Sequence, residues 1–200
     1  MKYTTPEAVG ISSKNVSDFY KELESYNLST HSVVMARGDC VFSECYYAPF
    51  NNKFLHRMYS VSKSFVSVAI GFCLQDGLLS IDDPIMKFFP EYEGREGFYS
   101  HSSTVKNLLM MESTSPSTNW FYSGCRSRVD TYFANPPTKL AGTLYDYDSS
   151  GSYILGVIVE RLTGKPFLEY LKEKVLLDIG FSGDAYCIMA PGGSGRLLLR

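Results

Sequence analysis

The stretch Ser60-Val61-Ser62-Lys63-Ser64-Phe65-Val66-Ser67-Val68-Ala69-Ile70-Gly71-Phe72-Cys73-Leu74-Gln75, followed by Asp76-Gly77, decides how the chain is read. Lys63 is its lone charge before Asp76, and apolar residues fall on every side of the helix it would form. Such a helix is expected to be buried all round, with Gly77 placed to terminate it. A hydroxyl and an amine three residues apart share one side of a helix. The serine at the N-terminal end also sits in the positive field of the helix dipole, which favours an oxyanion. Burial of Lys63 would depress its pKa, so that a neutral amine takes the Ser60 proton. A drop from about 10.4 to about 7.5 corresponds to roughly 4 kcal/mol.

The competing reading of Ser60 is an ordinary helix cap. Chance alone supplies about 1.4 Ser-x-x-Lys matches in a chain of this composition. There is a second, Ser103-Thr104-Val105-Lys106, which follows the polar Ser100-His101-Ser102 and precedes a short helix. Its lysine is expected in solvent.

Outward from this segment, Val16, Phe19, Tyr20, Leu23 and Tyr26 recur at helical spacing after Ser12. That pattern predicts a capped helix from Ser12 to Asn27. Two β-rich runs, 31–37 and 40–47, flank Gly38-Asp39 and predict an antiparallel hairpin. A hairpin alone is marginal in water and calls for more strands. On the other side, Asp82-Asp83-Pro84 is expected to cap a short helix ended by Pro90, and another short helix follows Thr104. Stretches 92–101 and 112–126 read as loops, and Pro136-Pro137 as a break. Tyr153 to Leu162 reads as a helix closed at Gly164, and Pro166 opens a further one through Leu176.

The 200 residues, 44% hydrophobic and 20% charged, suffice for one packed domain. A net charge of -2 argues against a nucleic-acid surface. No run approaches the roughly 18 apolar residues of a membrane span, and the N-terminus has no signal-peptide core. A soluble, cytoplasmic protein is expected. Cys40, Cys45, Cys73, Cys125 and Cys187 form no CxxC pair, so reduced cysteines are expected. Three scattered histidines imply no metal. GxSxG and P-loop patterns are absent, and Gly192-Gly193-Ser194-Gly195 reads as a flexible turn.

Phe54 to Phe65 around Ser-Val-Ser-Lys, then Gly77-Leu-Leu-Ser-Ile-Asp-Asp-Pro84 and Phe88-Phe-Pro90, resembles the serine β-lactamase-like superfamily. The nearest branch is class C β-lactamases and their penicillin-binding and esterase relatives. Ser32 to Gly38 resembles the family's first strand, Thr104 to Leu109 the helix before its His-x-Ser-Gly turn, and Gly142 to Ser149 its Tyr-x-Asn motif. Gly156 to Lys165 resembles the helix that follows. The resemblance implies an α/β (α+β) fold in one domain: 1–58 helix and hairpin of the sheet lobe, 59–180 a helical lobe, and 181–200 the start of a return to the sheet. It implies Ser60 as acylated nucleophile, Lys63 as proton acceptor and Tyr147 as a proton relay, with Tyr145 two residues away as the rival tyrosine. Ser149, Trp120 and Tyr122 are expected to bind substrate. No cofactor is implied, and the oligomeric state is left open.

Three departures accompany the resemblance. Ser149 stands where the motif has an asparagine, and lacks the amide's paired donor and acceptor. Met111-Glu112-Ser113-Thr114 replaces the His-x-Ser-Gly turn, with structural consequences only expected. The third motif, Lys-Thr-Gly or His-x-Gly, has no counterpart before Arg200. An N-terminal portion of a longer enzyme is therefore expected, and losing one oxyanion donor costs about 10²–10³ in rate. The expected activity is hydrolysis of a small ester, amide or β-lactam through an acyl-enzyme. The alternatives are a non-catalytic or slowly acylating ligand sensor, and an inert fragment with an exposed sheet edge.

Overall fold

A computed structural model describes residues 1–114, 127–181, 185–186, 188–189 and 195–196. The chain divides into two compact units, Met1–Leu55 and His56–Arg200.

The first unit holds β1 (Lys2–Tyr3), α1 (Ser13–Ser25), β2 (Ser32–Arg37) and β3 (Cys40–Tyr46). Ser12 caps α1 by accepting from the Lys14 N–H at 3.1 Å, which satisfies a donor the helix itself leaves open. β2 and β3 pair antiparallel from Ser32 opposite Tyr46 to Arg37 opposite Cys40, with a register break between Met35 and Ala36. Gly38 takes φ 61°, the left-handed conformation this tight reversal uses. The hairpin is not alone: β1 pairs parallel to β3, giving the sheet order β1-β3-β2. Two residues of strand leave no alternation to read, so this third strand was invisible in the sequence pattern.

The second unit is helical. It contains α2 (Ser62–Gln75), α3 (Val105–Leu109), α4 (Arg128–Ala134), α5 (Ser149–Thr163) and α6 (Phe167–Leu171), then the short antiparallel pair β4 (Ile188–Met189) and β5 (Gly195–Arg196). α5 packs against α2, α3 and α6. Its residues from Ser150 to Val159 are all buried, with Ile154 and Ile158 fully so. Burying each such side chain contributes about 1.5–3 kcal/mol. Phe89, Tyr92 and Phe133 extend the same core, with Tyr92 stacked on Phe133 at 4.4 Å between centroids. Arg161 holds this aromatic wedge to α5 by donating to the Phe88 carbonyl at 2.6 Å and to Glu91 at 2.6 Å, with its guanidinium over the Phe89 ring.

α2 does not have the all-round burial expected of it. Ser62, Val66, Ala69, Ile70 and Cys73 form its buried face, whereas Val68 and Leu74 stay 42% and 45% exposed. The buried set follows the three-and-four spacing of one helix face, the face that meets α5 and α6. Asp83 also departs from expectation. It caps no helix, accepting instead from the Ser80 N–H and Lys87 Nζ, both at 2.8 Å, while the turn Ile85–Phe88 opens on Pro84 without a side-chain cap. Pro90 begins a second turn, Pro90–Tyr92, rather than only ending the first. α5 starts four residues before the expected Tyr153, because Asp148 caps it from outside a run of weak helix formers.

Gly164 ends α5 at φ 67°, its N–H bonded to the Glu160 carbonyl at 2.9 Å. A Cβ at this position meets nothing within 4 Å, so the cost of adding one is backbone strain alone. Gly164→Ala is expected to lower unfolding stability by about 1 kcal/mol in urea denaturation. An unchanged midpoint would show that the left-handed cap is dispensable. Among the described residues no helix is long and apolar enough to cross a membrane, and no cluster of His, Cys, Asp or Glu is arranged to hold a metal ion.

Candidate active site

Ser60 lies in the single 3-10 turn Tyr59–Val61 that leads into α2, and Lys63 lies in the first turn of α2 itself. Tyr147 comes from 87 residues further along the chain, next to Asp148 at the head of α5. Because α5 packs on α2, the starts of the two helices bring these residues together. Lys63 Nζ donates to Ser60 Oγ at 3.1 Å, and Tyr147 Oη donates to the same oxygen at 2.5 Å. Lys63 Nζ also lies 4.9 Å from the centre of the Tyr147 ring. Ser60 and Tyr147 are exposed and Lys63 is half-buried, so the hydroxyl and the phenol are both open to solvent.

The electrostatics centre on the phenol. The Lys63 amine beside it holds the Tyr147 phenol below its ordinary value of 10.0, helped by hydrogen bonding with the Ser60 and Ser149 hydroxyls and opposed by partial burial. Lys63 is half-buried in the first turn of α2, beside the buried Ser62. Ser149, the first residue of α5, turns its hydroxyl to the Tyr147 phenol. Tyr145 is 69% exposed, and it is Tyr147, not Tyr145, that reaches Ser60. Trp120 and Tyr122 lie outside the described residues.

The second Ser-x-x-Lys behaves as expected. Ser103 is fully buried, accepting from the Thr114 N–H at 3.0 Å, and Lys106 is exposed. Ser103 thus serves packing, whereas Ser60 is exposed. What sequence reasoning missed is the backbone just before Ser60. Tyr59 has φ 45°, a left-handed conformation that costs a non-glycine residue of order 1–3 kcal/mol. The buried Ser62 hydroxyl donates to the Tyr59 carbonyl at 2.5 Å, and the Val61 N–H to the Met58 carbonyl at 3.0 Å. These bonds hold the strained turn that presents Ser60. No residue-type signal announces it, because tyrosine is not a residue that favours this conformation.

The stretch carrying Tyr147 is fixed along residues 111–114. The Thr138, Gly142 and Asp146 N–H groups donate to the carbonyls of Thr114, Glu112 and Met111 at 2.8, 2.9 and 2.8 Å. Lys139 Nζ adds an ion pair to Asp146 at 3.3 Å and a bond to the Leu144 carbonyl.

Comparison with known proteins bears on the fold and the family. The 6-aminohexanoate-dimer hydrolase of Paenarthrobacter ureafaciens is 27% identical over 184 residues, covering 83% of this chain and 46% of that protein. Among solved structures, the octameric penicillin-binding protein homologue from Pyrococcus abyssi superposes with TM-score 0.68 at 21% identity, over 92% of this chain and 49% of that one. A class C beta-lactamase mutant superposes with TM-score 0.69 at 20% identity, over 86% and 50%. The chain therefore spans about half the length of these relatives, and shares the beta-lactamase-like fold with the two solved structures. The sequence model described as Beta-lactamase matches residues 21–183, and the chain belongs to the beta-lactamase family.

Proposed function

We propose that the chain carries the acylation machinery of a serine hydrolase that opens an ester, amide or lactam carbonyl through an acyl-enzyme on Ser60. The observation that carries this reading is the convergence of Lys63 Nζ and Tyr147 Oη on the exposed Ser60 Oγ. In the ionised state the Tyr147 phenolate, favoured by the neighbouring Lys63 ammonium, takes the Ser60 proton. Oγ attacks the carbonyl carbon, the C–N or C–O bond breaks, and Tyr147 returns the proton to the leaving nitrogen or oxygen. Water then cleaves the acyl–serine ester and releases a carboxylic acid. In this reading the Ser60 N–H, in the turn that leads into α2, stabilises the developing oxyanion. Ser149 acts on the phenol in this reading rather than on an amide of the substrate. The relative named as a 6-aminohexanoate-dimer hydrolase supports an amide among the candidate bonds.

The test is acylation itself. The protein is incubated with a fluorescent penicillin and, separately, with a p-nitrophenyl ester, and the adduct is located by mass spectrometry. The acyl group is expected on Ser60, and Ser60→Ala is expected to abolish it. Equal labelling of Ser60→Ala would sink the proposal. Release of more than one equivalent of p-nitrophenol marks turnover, whereas a stoichiometric burst marks the slowly acylating alternative.

A further inference from the structure

We infer that Asp148 is a positioning residue for this acylation: with Ser113 it fixes the backbone on which Tyr147 stands, so that the phenol meets Ser60. The inference rests on the proposed function and deepens it. Asp148 is 2% exposed while its neighbour Tyr147 is 48% exposed, so one side chain anchors and the other reaches out. Both carboxylate oxygens of Asp148 are engaged. Oδ1 accepts from the Ser150 N–H at 2.8 Å and the Ser150 hydroxyl at 2.5 Å, and Oδ2 accepts from the Ser113 hydroxyl at 2.7 Å. Its backbone carbonyl accepts from the Ser152 hydroxyl at 3.1 Å. A buried carboxylate is tolerable only when so bonded, and it holds its partners tightly for the same reason.

An ordinary cap does not need this arrangement. Ser12 and Ser127 cap α1 and α4 through a single hydroxyl, and α3 opens on a capping box confined to its own first turn, between Thr104 and Asn107. In α5 the cap spends one oxygen on the helix and aims the other away from it, at Ser113. That second bond has a counterpart one residue the other side of Tyr147. There, the Asp146 N–H donates to the Met111 carbonyl at 2.8 Å. Tyr147 is thus clamped from both sides, through 146 to 111 and through 148 to 113, at equal spacing along both segments. The carboxylate also needs room across the first turn of α5. A Cβ on Gly151 would stand 2.6 Å from Asp148 Oδ2 and 3.3 Å from Leu108 Cγ, and only glycine leaves that space. Residues 111–114, expected from the sequence to matter for structure alone, thereby reach the reacting oxygen through one intervening residue.

The experiment compares Asp148→Ala, Ser113→Ala and Asp148→Asn, each with Tyr147 and with Tyr147→Phe, using the p-nitrophenyl ester. A displacement of about 1 Å costs on the order of 10²-fold, so Asp148→Ala is expected to lower the acylation rate by roughly 10–100-fold and Ser113→Ala by less. Asp148→Asn keeps an acceptor for Ser150 and is expected to recover most of the loss. In the Tyr147→Phe background the same substitutions are expected to change little, because there is no phenol left to misplace. Equal losses in both backgrounds would overturn the inference, as would unchanged rates with Tyr147 present. Ser113→Ala leaves the α5 cap intact and carries the test if Asp148→Ala does not fold. A second readout is independent of acylation: tyrosinate absorbance of each protein minus that of its Tyr147→Phe partner reports the phenol directly. In Ser113→Ala it is expected to titrate closer to 10.0 than in the wild type, having left Lys63 and Ser60. An unmoved titration overturns the inference even if the wild type fails to acylate, a failure that would instead strike the proposed function.

Discussion

Tyr147→Phe is expected to lower the acylation rate proposed for Ser60 by about 10²–10⁴-fold, the range of a general base, and to remove the rising limb of its pH profile. The sign follows from the site. In the proposed reaction the active species is the phenolate, so the wild-type rate is expected to climb with pH until the phenol is ionised, and Lys63 holds that point below 10.0. Removing the phenol removes the limb. Removing the cation instead should move it: Lys63→Met takes away the largest influence on the phenol, and the limb shifts to higher pH while remaining visible. The pair of variants separates two chemistries that share one geometry. If Lys63 were the base and Tyr147 a bystander, Lys63→Met would erase the limb and Tyr147→Phe would spare it. Stopped-flow release of p-nitrophenol across the pH range of stability measures both.

That the site was legible at all reflects its chemistry. The approach of Lys63 to Ser60 could be read because a spacing of three residues brings two side chains to one side of a helix. Tyr147 was harder to place. Tyr145 has the same side chain two positions away in a stretch without regular structure, where no periodicity assigns a direction; the deciding contact is tertiary. The hairpin was readable because alternating β-formers flank a glycine, but β1 supplies only a parallel rail of two residues. α4 escaped notice because seven residues hold too little period to register, although Ser127 accepts from the Asp130 N–H as a cap. In α2 the period was overwhelmed in another way. When every face is apolar, the pattern states that the helix is hydrophobic and is silent on which side is covered.

Stability is expected to fall by about 3 kcal/mol as pH drops from 6.5 to 4, on account of His101 alone. The residue is 1% exposed, with its ring stacked on Tyr132 at 4.9 Å and set edge-on to Phe133. Burial pushes its pKa from 6.5 down to about 4, against a smaller opposing pull from the Asn135 backbone. Between those values the unfolded chain binds a proton that the folded chain refuses, so its stabilising contribution is complete above 6.5 and is lost on acidification. The carboxylates act lower on the scale. Lys174 holds Asp76, Lys87 holds Asp83 and Arg161 holds Glu91 below their ordinary values, so their contributions disappear at more acidic pH. Urea denaturation of His101→Gln should therefore lose the slope between 6.5 and 4 and keep the steeper fall beneath it; a wild-type slope in the variant would refute the assignment. The consequence reaches the site. His101 Nδ1 is hydrogen-bonded to Thr114 Oγ1 at 2.9 Å, and Thr114 ends the segment whose Met111 carbonyl and Ser113 hydroxyl clamp Tyr147. Protonating His101 turns Nδ1 into an obligatory donor inside a dry aromatic wall, so acid should loosen the support of the phenol before the helices melt. Acylation divided by the phenolate fraction at each pH would then decline at a higher pH than the global transition in the wild type, and this corrected rate and unfolding would coincide in His101→Gln.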